Sequence, residues 1–248
     1  TGSRNSPASV ASRLKCGCFF ARRWGFAGGR WRRFPCHRKN QSKNTPQRRR
    51  LFLKTELEPR LAEAQVGQQT VLFVDAAHFV LASFLGWVWS ASRLFVRGAS
   101  GRRRYNVLGA LNPLTGELIR VCNQTCINSH TVCELLNKIA ALELATPITL
   151  VLDNAAYQRC KLVQGLAKEL NIELLFLPSY SPNLNLIERL WKFTKKHGLY
   201  SKYYTDFDAM KNAITQCLSQ TNTKYKDELN SLLTLRFQTF KKDAVMAT

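Results

Sequence analysis

Two short apolar runs, each followed at once by an aspartate, most constrain what this chain can fold into. Residues 71–74 (VLFV) precede Asp75, and residues 148–152 (ITLVL) precede Asp153. Such β-branched and aromatic runs are typical of strands buried on both faces of a parallel sheet. Functional groups of open α/β sheets gather beyond the carboxyl ends of the strands. If the two strands are parallel neighbours, the two carboxylates meet at one edge of the sheet.

The rest of the chain predicts strands and helices around that pair. Residues 105–111 and 117–122 flank the turn sequence NPLTG and predict an antiparallel hairpin. A further strand is predicted at 172–177. Helices are predicted where apolar residues recur at helical spacing, namely at 48–65, after Asn128, from Tyr157 to Leu170, after Pro182 and after a Thr205 cap. This order predicts an α/β fold, a mixed sheet with helices on both faces, and it suits a ribonuclease H-like fold.

The charge balance predicts a polyanionic partner. The chain has 37 Lys and Arg against 16 Asp and Glu, a net charge of +21. A surplus of this size points to nucleic acid or to an acidic membrane surface. No run of 18 apolar residues occurs, so no membrane span is expected. The eight cysteines lie mostly inside apolar runs of a chain too large to need disulfides, which favours a reducing, cytoplasmic compartment.

A third acid, Glu188, lies on the helix predicted after Pro182. Its apolar neighbours occupy one arc of that helix, and Glu188 lies nearly opposite, close to Lys192 and Lys195. Three carboxylates around one point favour Mg²⁺ or Mn²⁺ over zinc, which prefers His and Cys ligands. Each acid also has a simpler interpretation: an aspartate after a strand commonly caps a turn, and Glu188 beside Lys192 is an ordinary surface pair. The pattern by itself therefore indicates a basic α/β domain that acts on phosphodiesters.

A longer motif makes the interpretation sharper. Residues 181–191 (SPNLNLIERLW) resemble the third-acid motif of the mariner superfamily of DDE transposases, in particular its bacterial insertion-sequence branch. Thirty-four residues (154–187) separate Asp153 from Glu188, the spacing characteristic of that superfamily. The strands before Asp75 and Asp153 resemble those that carry the first and second acids, and the likeness covers about residues 48–220. Leu186 and Ala76 depart from the common pattern, where many relatives have Pro and a second acid.

The resemblance implies the catalytic domain of a DNA transposase. Asp75, Asp153 and Glu188 would hold two Mg²⁺ (or Mn²⁺) ions, with Asp75 bridging both. One ion would activate water or a 3′-hydroxyl for in-line attack on phosphorus, and the other would stabilise the leaving oxygen. Family precedent adds transposon ends and target DNA as partners, TA dinucleotides as target sites, and a homodimer on DNA. A nucleoid-associated location in the cytoplasm follows from such partners.

Basic clusters are candidates for binding the DNA backbone, with a merely solvated surface as the alternative for each. They comprise Arg102, Arg103 and Arg104, and, around Glu188, Lys192, Lys195, Lys196 and Lys202.

Three segments are predicted along the chain. Residues 1–46 form a basic arm, disordered or non-homologous, which does not resemble the helix-turn-helix modules that precede the catalytic domain in relatives. Residues 47–222 form the ribonuclease H-like domain, and residues 223–248 form a partly helical tail. Two alternatives stay open: a truncated or decayed transposase that binds DNA without activity of its own, and another nuclease of the same fold, such as a junction resolvase.

Overall fold

A single mixed sheet of five strands organises the described part of the chain. The computed structural model describes residues 46–81, 103–179, 181–200 and 202–237. The strands, in spatial order, are β3 (Leu118–Asn123), β2 (Arg104–Leu111), β1 (Thr70–Val80), β4 (Ile148–Leu152) and β5 (Ile172–Phe176). Neighbours are antiparallel from β3 to β1 and parallel from β1 to β5. The predicted hairpin is β2–β3.

Helices cover both faces of this sheet, which confirms the predicted fold class. On one face, α3 (Ser129–Ala140) and α4 (Lys161–Glu169) bury their apolar residues against Leu72 and Val74 of β1. On the other face, the helices pack against Phe73 and Phe79 of β1. The helices on this face are α1 (Pro46–Phe52), α2 (Glu58–Gln65), α5 (Ile187–Gly198), α6 (Phe207–Ser219) and α7 (Lys226–Leu232), with a π-helical segment, Leu53–Leu57, between α1 and α2.

The alternation of side chains along β1 and β4 decides which way their aspartates face. Phe73 and Val151 belong to the core on the α5 side, whereas Val74 and Leu152 belong to the core on the α3–α4 side. Val74 and Leu152 are also the last paired residues of the β1–β4 ladder. Since the side-chain period of a strand is two, the next residue of each strand returns to the α5 side. Those residues are Asp75 and Asp153.

Two predicted helix starts are wrong. Pro182 opens a 3₁₀ turn (Pro182–Leu184), and α5 begins only at Ile187, because the extended backbone of Asn185 (φ −100°, ψ 106°) interrupts the helix. Tyr157 does not lie on a helix either. It belongs to the turns that follow Asp153, and α4 starts at Lys161.

The predicted cap of α6 is off by one residue. Asp206, not Thr205, is the N-cap, with an extended backbone (φ −140°) and a side chain that accepts a hydrogen bond from the N–H of Ala209 at 2.7 Å. Thr205 Oγ1 donates to the Asp206 carboxylate, so the hydroxyl supports the cap.

Two sequence predictions lie outside the described residues, the basic arm up to residue 45 and Arg102. The division into three segments stays a prediction, although α7 lies within the predicted tail. In the described ranges, every helix is too short or too polar to cross a membrane.

Candidate active site

Asp75, Asp153 and Glu188 line one cavity of about 410 Å³ at the carboxyl end of the β1–β4 pair. Asp75 lies on β1 and Asp153 directly follows β4, each one residue beyond the Val74–Leu152 pair. Glu188 is in the first turn of α5. The structure thus brings the three predicted acids around a common space, from a strand, a strand end and a helix that are far apart in the chain.

The three carboxylates surround the cavity without being pressed together. Within the described ranges, no three His, Cys, Asp or Glu side chains are already gathered at metal-ligating distance. Like charges oppose closer approach in a partly buried site, and only a proton or a cation between them relieves that repulsion. The carboxylate and amide oxygens that line the cavity are the donors that hard divalent cations prefer.

Burial dominates the electrostatics of the two aspartates. It raises the pKa of Asp75 to about 7, against an opposing hydrogen bond from the N–H of Ala76, and the charges of Glu188 and Asp153 raise this pKa further. Burial also raises the pKa of Asp153, opposed by the N–H of Ala155. Ionisation of the two aspartates in this site therefore costs free energy, and any bound cation would offset that cost.

Tyr157, which the sequence had placed on a helix, lies in the turns that follow Asp153 and packs against the core on the α3–α4 side. Burial raises the pKa of its hydroxyl, and the charges of Asp153 and Asp75 raise this pKa as well. The hydroxyl therefore stays in the protonated form.

Two contacts hold α5, and with it Glu188, over the sheet. The indole of Trp191 packs on Gly109, which pairs with Asp75 in the β1–β2 ladder, and it meets the ring of Phe79 edge-on at 6.4 Å. Just before α5, the side-chain amide of Asn185 donates to the backbone carbonyl of Val74 at 3.2 Å. Glu188 lies between these two contacts along the chain.

A second cavity, of about 530 Å³, adjoins the first at Glu188 and is also bordered by Lys192 and Arg236. The segment after α7 forms one wall. Arg189 holds this segment by donating to the carbonyl oxygens of Leu232, Thr234 and Arg236 at 2.8, 2.7 and 2.6 Å. The ring of Phe237 then lies 6.5 Å from that of Phe73, centroid to centroid. Nothing local in the sequence marks residues 233–237 as part of the site.

The predicted DNA-binding residues occupy different surroundings. Lys192 is exposed beside Glu188, and Lys195 is half-buried on the same helix. Lys196 forms an ion pair with Glu228 at 3.7 Å, and Lys202 donates to the carbonyl of His197, so both face the α6–α7 side. The guanidinium of Arg103 stacks over the ring of Phe207 at 4.4 Å, and the neighbouring Arg104 is exposed at the start of β2.

Comparison with known proteins supports the family resemblance. The DDE superfamily endonuclease family matches residues 70–211. An uncharacterized protein, y4pE/y4sA, of Sinorhizobium fredii is 26% identical over 120 residues, which cover 47% of this chain and 82% of that protein.

Solved structures of Mos1 mariner transposase share the fold. The paired-end complex with Mg superposes with a TM-score of 0.56 at 14% identity, covering 84% of this chain and 64% of the other. The paired-end complex with the left transposon end gives a TM-score of 0.53 at 12% identity, with coverages of 86% and 67%. The chain therefore spans about two thirds of the length of those transposase chains. The predicted fold is confirmed, and the family match confirms the DDE part of the predicted family.

Proposed function

The chain belongs to the DDE superfamily endonucleases, and from that membership we propose that it is a transposase catalytic domain that cleaves and joins the DNA ends of a mobile element. One observation carries the proposal: Asp75, Asp153 and Glu188 line a single cavity at the point where the parallel pairing of β1 and β4 ends. The Mos1 complexes, which share the fold, contain transposon ends and Mg. Insertion at TA dinucleotides, action as a homodimer and a nucleoid-associated cytoplasmic location belong to the same proposal.

Divalent cations fit the residues that line this cavity. Its donors are carboxylate, amide and hydroxyl oxygens, and no His or Cys occurs among the described residues that line it. We propose that Asp75, Asp153 and Glu188 would hold divalent cations, two Mg²⁺ or Mn²⁺ ions. When bound, such ions activate the attacking oxygen and stabilise the leaving oxygen of an in-line displacement at phosphorus.

The protein groups around the acids would position the DNA strand. Lys192 and Arg236 border the second cavity, where their charges can bind phosphates of a DNA strand. Trp191 and Asn185 hold α5 so that Glu188 stays at the boundary of the two cavities. In this proposal, the acids bind the cations and the basic groups bind the DNA substrate.

A nicking assay on supercoiled plasmid DNA tests the proposal. The purified chain is incubated with plasmid in Mg²⁺, in Mn²⁺ and in EDTA, and the open-circular product is measured. Asp153→Asn removes one ligand charge, and Glu169→Gln, an exposed carboxylate on α4 across the sheet, is the matched control. We expect cation-dependent nicking by the wild type and Glu169→Gln, with a loss of at least about 100-fold in Asp153→Asn.

Each outcome distinguishes the proposal from its rivals. Equal nicking by the wild type and Asp153→Asn would contradict the proposed role of Asp153 as a ligand of the catalytic cations. Tight DNA binding without cleavage by any variant would favour a decayed transposase that only binds DNA. Cleavage restricted to branched DNA, tested with a four-way junction, would favour the resolvase alternative.

A further inference from the structure

Asn185 occupies the short non-helical link between the 3₁₀ turn and α5. Its backbone N–H donates to the carbonyl of Pro182 at 3.0 Å, and its own carbonyl accepts from the N–H of Glu188 at 3.3 Å. The residue is 4% exposed and lines both cavities at their boundary. Its side chain is therefore enclosed at the point where the third acid joins the sheet.

The orientation of the Asn185 amide is fixed by its partner. Nδ2 lies 3.2 Å from the backbone oxygen of Val74, the residue directly before Asp75. A carbonyl oxygen can only accept, so the nitrogen of the amide must face it. Oδ1 is consequently turned away from β1. This one contact ties the start of α5 to the strand that carries the first acid.

Oδ1 of Asn185 is buried and has no hydrogen-bond partner among the described residues. A buried acceptor without a partner costs about 1–3 kcal/mol, so buried amides normally have one. The unfilled space beside this side chain is the two cavities, and the first of them is lined by Asp75, Asp153 and Glu188. A water molecule or a cation in that space can satisfy this neutral oxygen, and a water bound to a cation is a polarised and therefore stronger donor.

We infer that Asn185 is a positioning residue of the divalent-cation site, an inference that rests on the proposed function. Its Nδ2 fixes α5 to β1, and its Oδ1 accepts from the hydration shell of a divalent cation held by the acids. A neutral oxygen at this point supports a hydrated Mg²⁺ or Mn²⁺ without adding to the repulsion among three carboxylates.

Cation binding measured apart from catalysis tests this inference. Mn²⁺ is titrated into the full chain without DNA, and free Mn²⁺ is followed by electron paramagnetic resonance, while thermal unfolding is measured with and without Mn²⁺. Asn185→Ala removes donor and acceptor, whereas Asn185→Asp keeps an acceptor oxygen and loses the donor to Val74. Asn137→Ala, an exposed asparagine on α3, is the matched control.

We expect the Kd for Mn²⁺ to rise about 10-fold or more in Asn185→Ala. It should stay within about threefold of wild type in Asn185→Asp, and it should not change in Asn137→Ala. Both Asn185 variants should unfold at a lower temperature without Mn²⁺, because each loses the tie to Val74.

Two results would overturn the inference. If Asn185→Ala lowers the unfolding temperature but leaves the Kd within twofold of wild type, the residue is only a structural tie. If the alanine and aspartate variants lose affinity equally, the acceptor oxygen is not what the site uses. Either result leaves the proposed function intact as long as Asp153→Asn abolishes Mn²⁺ binding. Absence of binding to the wild type would overturn both.

Discussion

The indole of Trp191 lies so close to Gly109 that a Cβ built on the glycine would be 2.9 Å from Cη2 of the ring. Gly109 pairs with Asp75 across the β1–β2 ladder, and Trp191 is three residues from Glu188 on α5. Glycine at position 109 therefore sets the distance between the helix that carries the third acid and the strand that carries the first.

Substitution of Gly109 by alanine should push α5 away from the sheet. The ring cannot move aside freely, because it also packs edge-on against Phe79. We expect a loss of about 1–3 kcal/mol in the free energy of unfolding, the usual range for overpacking, together with at least about 10-fold slower nicking. Urea denaturation and the plasmid assay measure the two effects.

Gly165→Ala is the matched control for that experiment. A Cβ at Gly165 on α4 would meet nothing within 4 Å, and alanine favours a helix over glycine by up to about 1 kcal/mol. This variant should be as stable as wild type or more stable, with unchanged nicking. Similar behaviour of the two variants would show that the contact with Trp191 does not set the position of α5.

The raised pKa of Asp75 predicts how stability depends on pH in EDTA. The folded carboxyl (pKa about 7) holds its proton more tightly than the unfolded one (3.8), so the folded state binds more protons between these values. The free energy of unfolding should fall as pH rises from about 4 to about 7 and show no further loss from this group above that. Asp75→Asn should remove this component and raise the unfolding temperature at pH 7.5 by roughly 2–6 °C.

Scanning calorimetry from pH 4.5 to 8 in EDTA measures the effect, with the exposed Asp227 changed to Asn as the reference. At pH 7.5, saturating Mg²⁺ should raise the unfolding temperature of the wild type, because the cation binds the ionised carboxylate of Asp75. It should not raise the unfolding temperature of Asp75→Asn in this way. The same pH profile for wild type and Asp75→Asn would contradict the prediction.

Sequence reasoning placed Asp75 and Asp153 directly after two buried, parallel-paired runs, as the structure has them, because that placement depends on short-range pattern. An apolar run of five residues buried on both faces fixes a strand, and its last residue fixes the edge at which Asp153 emerges. Helix starts were harder: apolar spacing around Tyr157 and Pro182 fits a helix, but it does not reveal which backbone N–H groups find partners. The wall formed by residues 233–237 could not be predicted, since Arg189 reaches carbonyls 43 to 47 positions away.

Arg189→Lys should weaken the attachment of residues 233–237, which form one wall of the second cavity. A guanidinium can reach three carbonyl oxygens at once, whereas an ammonium is a single compact donor at the end of a flexible stem. We expect a loss of about 1–3 kcal/mol in the free energy of unfolding and faster chymotrypsin cleavage after Phe237. Arg159→Lys, at an exposed arginine, should change neither measurement. Unaltered cleavage in Arg189→Lys would mean that the segment is held by Phe237 instead.

The surroundings of the lysines predict unequal roles in DNA binding. Lys192 borders the cavity next to Glu188, while Lys196 is paired with Glu228. Lys192→Ala should weaken binding of a duplex oligonucleotide roughly 3- to 10-fold near 0.1 M salt and reduce the slope of log affinity against log salt by about 1. Lys196→Ala should change both much less. Fluorescence anisotropy over a salt series measures them, and equal losses in the two variants would refute the ranking.

The hydrogen bonds that Arg189 donates to residues 232, 234 and 236 have a consequence for how the residues beside the second cavity can be substituted. Its three shorter hydrogen bonds are to main-chain oxygens, and only a longer one, at 3.5 Å, is to a side chain, Oγ1 of Thr234, so the contact depends little on which side chains stand at 232, 234 and 236. Those three residues are exposed along the edge of the second cavity. Their replacement can alter what the groove touches while the geometry of the acids is preserved, which makes this edge a natural place to engineer a new preference for flanking DNA.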